Sequence, residues 1–167
     1  NNIIITIGSI ECVNIVNEII KKTDKKVKAH IKIDTGFGRY GFLYKDIKTI
    51  IDAINQFSNI QIEGMYSHFS LAYYKNDKWT LEQFDRFMSV IEALKLNDIN
   101  IQALHICNSP AFLNYPKMHL TGARIGSAFL GRVATESNVG LKKIGQLQTT
   151  ISEIKTLNFF PLFNVPF

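Results

Sequence analysis

Four short stretches hold most of the side chains able to do chemistry. They read Lys32-Ile-Asp-Thr-Gly-Phe-Gly-Arg39-Tyr-Gly-Phe42, Tyr66-Ser-His68-Phe-Ser, His105-Ile-Cys-Asn108-Ser109-Pro and Arg124-Ile-Gly126-Ser127-Ala. Arg39 and Arg124 donate hydrogen bonds and stay charged, Ser109 stands at a helix start, and Gly126-Ser127 offers backbone N–H groups at a turn. That set suits a small anion such as phosphate. A plainer reading stands beside each residue. The glycines Gly36, Gly38 and Gly41 would then only permit a left-handed turn. His68 and His105 would be hydrogen-bonded core histidines, Ser109 a helix cap, and Arg124 half of a structural ion pair.

The elements around these stretches separate the two readings. Ile3 to Ile7 is a β-branched run, and Ser9 then caps a helix with Val13, Val16, Ile19 and Ile20 at helical spacing. Val27 to Ile33 alternates as a strand, and Ile47, Ile50, Ile51, Ile54 and Phe57 mark a second helix. Ile60 to Tyr66 is a third strand. Thr80 and Gln83 form a capping box for a long helix with Leu81, Phe84, Phe87, Met88, Ile91 and Leu94 on one face. Ile101 to Ile106 is a fourth strand, Ser109-Pro110 opens a short helix, and a short extended piece lies around Ala123.

Strands alternating with helices predict an α/β fold with a parallel sheet, either half of an eight-fold (β/α)8 barrel of the TIM type or a small doubly wound sheet. In both, ligands bind beyond the carboxyl ends of the strands. Each chemical stretch follows a strand, so all of them reach one rim, and packing alone does not ask for a polar group there each time. From Leu141 the pattern changes. Leu147 to Leu157 is β-prone with no helix after it and predicts the start of a C-terminal β domain; Asn158 to Phe167 is apolar and aromatic. The expected domains are therefore 1–140, a partial barrel, and 141–167, the beginning of a β-rich region.

The 167 residues are 46% hydrophobic and 20% charged, a globular balance, and no apolar run reaches the roughly 18 residues of a membrane span. The net charge of +5 comes from scattered lysines without an aromatic-basic stripe, which argues against a nucleic-acid partner. Cys12 and Cys107 lack CxxC partners, no His cluster has metal-ligand spacing, and reduced thiols fit a cytoplasmic protein. The chain opens with Asn1-Asn2 rather than Met, which leaves a removed leader or flanking sequence open.

The four stretches resemble, in order and spacing, the motifs of the alanine racemases. Lys32 to Gly41 resembles that family's lysine-x-aspartate-threonine-glycine-methionine-glycine-arginine-x-glycine, and Ser67-His68-Phe69 its threonine-histidine-phenylalanine. Asn108-Ser109 resembles its asparagine-serine, and Arg124-Ile-Gly126 its arginine-proline-glycine. The resemblance implies pyridoxal 5'-phosphate as cofactor, an amino-acid substrate, a homodimer, and interconversion of L- and D-alanine for peptidoglycan. It implies that Arg124 faces the pyridine nitrogen and that His68 orients Arg124. Asn108, Ser109, Gly126 and Ser127 would then lie at the cofactor, the last two offering backbone N–H groups to its phosphate. Arg39 would approach the phenolic oxygen and the substrate carboxylate. Lys32 matches a lysine that is carbamylated in some members.

This sequence departs from the family in several places. Phe37 replaces methionine, Ile125 proline and Ser127 isoleucine. No lysine here sits in a motif matching the one that anchors the cofactor, and the family's opposing tyrosine base lies in a C-terminal β domain. The resemblance therefore implies an internal piece of the barrel domain that does not racemise alone. Its half barrel would leave two open strand edges and a tendency to aggregate. Serine or broad-specificity racemases are an alternative, as is a non-catalytic pyridoxal-phosphate-binding homeostasis protein, which shares the barrel but lacks the Asp-Thr-Gly-x-Gly-Arg pattern. A degenerate remnant without activity is a third.

Overall fold

The computed structural model describes residues 3–23, 25–57, 59–133, 135, 140–146, 148–154 and 156. In chain order they form β1 (Ile4–Ile7), α1 (Ile10–Ile20), β2 (Val27–Asp34), β3 (Phe42–Leu43), α2 (Ile47–Asn55), β4 (Ile60–Tyr66), α3 (Lys78–Lys95), β5 (Ala103–His105), α4 (Ser109–Asn114) and a 3-10 turn (Pro116–Met118). The sheet runs β1-β2-β4-β5 with every pairing parallel, and the two-residue β3 pairs beside β2. The extended piece near Ala123 reduces to a single parallel bridge between Gly122 and His105.

Each parallel pair needs a crossover, and the amphipathic helices supply it. Alternation along β2 sends Ala29, Ile31 and Ile33 into the helix-covered core with Ile7 and Met65. Val13 and Ile20 of α1, Ile50 and Ala53 of α2, and Phe87, Val90, Ile91 and Leu94 of α3 cover them. The opposite face of β2 carries Lys28, His30 and Lys32. Between β2 and β4 the register shifts at Ala29/His30, so Lys28 and His30 pair with Gln61 and Gly64.

Two predicted caps move. The N-cap of α3 is Asp77, whose carboxylate accepts from the Thr80 N–H (2.7 Å) and hydroxyl (2.8 Å). Thr80 and Gln83 do not form a capping box; both are fully buried inside the helix. The carboxylate wins because it satisfies two donors at once near the positive helix end. Likewise Asn108, not Ser109, caps α4, accepting from the Ala111 N–H at 3.1 Å. Ser9 does cap α1.

The described residues of 141–156 are exposed and contain neither strand nor helix, so the β-prone pattern there is not realised as a strand among them. A strand forms only against a neighbour that takes up its backbone groups. Asn158 to Phe167 lies outside the described residues. Among those described, no helix is long and apolar enough to cross a membrane.

Candidate active site

Asp34 ends β2 with a buried carboxylate that organises the loop after it. Its Oδ1 accepts from the N–H groups of Gly36 (2.8 Å) and Phe37 (2.9 Å), and its Oδ2 from Gly38 (3.0 Å). Gly36 has φ +123°, and a Cβ there would lie 2.7 Å from the Trp79 ring and 2.8 Å from the Arg86 guanidinium. Arg86 is held over the rings of Tyr44 and Trp79 and donates to the Thr35 carbonyl at 3.0 Å. This loop presents Phe37 and Arg39 at the rim. Arg39 is exposed and stacks on Phe37 at 4.5 Å, and Phe37 meets the His68 ring edge-on at 5.6 Å.

Arg124 occupies the centre. Its Nη2 donates to the Ser67 carbonyl (2.7 Å) and the His68 Nδ1 (3.1 Å), and its Nη1 donates to the His105 Nδ1. Its guanidinium also lies 5.0 Å from the Tyr66 ring centre, and Tyr66 stacks on His105 at 5.0 Å and 7°. Among the described residues, Nε carries no hydrogen bond, so one donor of the guanidinium is uncommitted. Burial first, and then Arg124, push both His68 and His105 down to about 4, so both rings are neutral at pH 7.

Lys32 is buried, 4% exposed, and its ammonium donates to the Ile33 carbonyl at 2.5 Å. Burial lowers it to about 8, against the opposing pull of Asp34 and with help from Arg124 and Arg39. Its amine therefore gives up its proton more readily than that of an exposed lysine.

Ser109 is buried at the first turn of α4, and its Oγ accepts from the Gly126 N–H (2.9 Å) and the Ala128 N–H (3.2 Å). With both lone pairs occupied, the hydroxyl proton is left to donate elsewhere. Gly126 and Ser127 are exposed at this turn, and no described atom lies within 4 Å of a Cβ placed on Gly126. Asn108 is committed at both ends of its amide, through its cap and a 3.3 Å bond from Nδ2 to the Phe69 carbonyl. It therefore holds α4 in place beside the rim, with the second N–H of its amide left over.

A family profile described as alanine racemase, N-terminal domain, matches residues 1–133. The chain belongs to the alanine racemase family. Among its relatives, the alanine racemase of Clostridium tetani is 39% identical over 163 residues, covering 93% of this chain and 42% of that protein. The alanine racemase of Methanococcus maripaludis is 34% identical over 160 residues, covering 93% and 43%. The solved alanine racemase of Clostridium difficile 630 superposes with a TM-score of 0.77 at 28% identity, over 84% of this chain and 38% of that one. The chain thus spans less than half the length of these relatives, and its sheet is part of a TIM-type barrel.

All the rim residues named from sequence lie at the carboxyl ends of the strands, and His68 and Arg124 are in contact. Lys32 and Arg39 do not touch Arg124 through any described hydrogen bond. The sequence assigns no role at the site to Tyr66 or Ser67, reads Gln83 as part of a helix cap, and leaves His105 as a core histidine. Gln83 accepts from the Ser70 N–H (3.0 Å) and donates to the His68 carbonyl (3.3 Å) and Thr35 (3.4 Å), tying α3 to two strand ends. The missed signal was an amide on a helical stripe whose other members, Phe87, Val90 and Leu94, are apolar and buried.

Proposed function

We propose that the protein interconverts L- and D-alanine, with pyridoxal phosphate held at the rim formed by Arg124, Ser109, Gly126 and Ser127. The observation that carries this reading is the Arg124 guanidinium, fixed by Ser67, His68 and His105 with one N–H uncommitted. A permanent donor placed there suits an aromatic ring nitrogen. The residues fit the cofactor's other end as well: a buried serine hydroxyl with its proton unspent stands beside an exposed Gly-Ser turn.

When bound, pyridoxal phosphate acidifies the α-hydrogen of an amino acid by drawing electron density from its α-carbon. Arg124 does not give up a proton, so it leaves the ring nitrogen unprotonated and moderates that withdrawal. His68, neutral and accepting at Nδ1, keeps Arg124 in one orientation. Ser109 would donate its hydroxyl to a phosphate oxygen, and the turn would add the Ser127 N–H, since the Gly126 N–H is given to Ser109 Oγ at 2.9 Å. Arg39, exposed and braced on Phe37, binds the substrate carboxylate. Lys32, with its lowered basicity, would lose its ammonium proton to solvent, form an N–C bond to carbon dioxide and release a second proton, leaving a carbamate anion that would balance Arg39 and Arg124.

The wider reading is a cytoplasmic homodimer supplying D-alanine for peptidoglycan, with 1–140 as barrel and 141–167 leading into a β domain. The test is to express the protein from its gene, with its flanking coding sequence, and assay D-alanine formation from L-alanine alongside an absorbance titration with pyridoxal phosphate. D-alanine formation that Arg124→Ala abolishes is expected. Saturable cofactor binding without any turnover would favour the homeostasis protein, and faster D-serine formation a serine racemase.

A further inference from the structure

We infer that His30 is a positioning residue for Arg124, acting through His105. The inference rests on the reading of Arg124 given above. Its starting point is that a guanidinium has donors only. Because Arg124 Nη1 faces His105 Nδ1, that nitrogen is bare. His105 is neutral, so its single proton sits on Nε2. Nε2 lies 3.1 Å from His30 Nδ1, which must therefore accept. The proton of His30 is left on its own Nε2. Three side chains, from the middle of β2, the end of β5 and the segment after Gly122, thus form a chain of hydrogen bonds with one polarity, from Arg124 to His105 to His30.

The surroundings admit His30 at some cost to the sheet. Its Nε2 lies where a Cβ on Gly64 would come within 2.6 Å, so any other residue at 64 would push the ring away. Gly64 becomes the partner of His30 only through the register shift at Ala29/His30. A glycine in a strand interior and an irregular ladder both weaken a sheet. Here both serve to seat one imidazole. Tyr66 keeps the middle ring in plane, stacked on His105, while its hydroxyl bonds Thr6 at 3.1 Å.

The far end of the chain opens into a cavity of about 520 Å³ lined by Ile4, His30, Gln61, Glu63, Asn100 and Gln102. Glu63 is held there by Lys28 at 2.5 Å. Burial lowers His30 and Glu63 opposes this, with a net shift downward, so the ring that accepts from His105 is neutral at pH 7. A histidine needed only to fill this space would not have its acceptor aimed at a ring that is itself hydrogen-bonded to Arg124.

The test is histidine-selective 15N NMR on the protein expressed from its gene with flanking coding sequence, together with pyridoxal phosphate titration. In the wild type, His105 is expected with a bare Nδ1 and a protonated Nε2. His30→Leu removes the acceptor and should give averaged His105 tautomers and roughly tenfold weaker cofactor binding, the size of one lost hydrogen bond to a neutral partner. His30→Gln presents an amide oxygen to the same proton and should restore both signals. A wild-type His105 protonated on Nδ1 overturns the inference without any variant. So does a folded His30→Leu protein with an unchanged His105 spectrum. If His30→Leu does not fold, failure of His30→Gln to keep the wild-type tautomer overturns it. The tautomers are read without turnover. Relay tautomers in a protein that makes no D-alanine would overturn the racemase reading and leave this one standing.

Discussion

The two faces of the sheet solve opposite problems with the same strands. On the helix-covered face, Ile7, Ala29, Ile31, Ile33 and Met65 are 0–1% exposed and pack against apolar helix stripes. On the other, Thr6, His30, Lys32, Tyr66 and His105 face inward with Arg124. The apolar face needs only volume and pattern, and tolerates near-isosteric swaps. The polar face is stable only if its donors and acceptors are paired, because each unpaired one carries a desolvation cost. Arg124 provides much of that pairing, since its two terminal nitrogens serve two imidazoles and a main-chain carbonyl. The first face sets stability and the second sets orientation. Mutations should separate the two.

The largest effect is expected on the apolar face. Phe87→Ala empties a site with 0% exposure and should cost about 3–5 kcal/mol, read as a lower denaturant midpoint at unchanged slope. On the polar face, Arg124→Lys keeps the charge but replaces a planar fork with a point donor that cannot reach His68, His105 and Ser67 together. Turnover should fall roughly a hundredfold or more, with a smaller stability loss than Phe87→Ala, measured as kcat beside the melting temperature. Comparable losses of activity and stability for both variants would break the distinction between the faces.

Gly36→Ala sharpens it at the loop. The positive φ and the contacts with Trp79 and Arg86 should cost about 1–2 kcal/mol and raise KM for the amino acid through Arg39, with a smaller effect on kcat. Asp77→Ala removes the α3 cap and should cost about 1 kcal/mol with no change in kcat/KM, since no rim residue depends on it.

Acid should act through the polar face. His68 and His105 titrate near 4 when folded and near the ordinary 6.5 when unfolded. Between those values the unfolded chain binds protons that the folded one excludes. Stability from this source is complete above pH 6.5, declines as the pH falls toward 4, and changes no further below. A melting-temperature profile from pH 7.5 to 4 should show that decline. A His68→Asn, His105→Asn double variant should flatten it, and an equally steep profile in that variant would assign the acid sensitivity to other groups.

Most of the architecture was legible in the chain. Period-two and period-3.6 patterns placed β1, β2, β4 and the helices, and the position of polar stretches after strands placed Lys32, Arg39, His68, Ser109 and Arg124 at one rim. These are local properties, written in spacing and in turn residues. The cap of α3 was misplaced because Thr80 and Gln83 have the right types, while Asp77, three residues earlier, competes more strongly for the same donors. The β-prone run from Leu147 forms no strand among the described residues, because propensity does not supply a partner strand.

Local pattern in the chain is enough to fix which residues arrive at the carboxyl ends of the strands. Tertiary structure alone decided which of them touch. His30 and His105 are 75 residues apart and meet only because β2 and β5 flank β4 with a one-residue shift in register. Tautomers and the pairing of Arg124 depend on contacts between separate strands, the lowered basicities depend first on burial, and chain spacing carries no information on either.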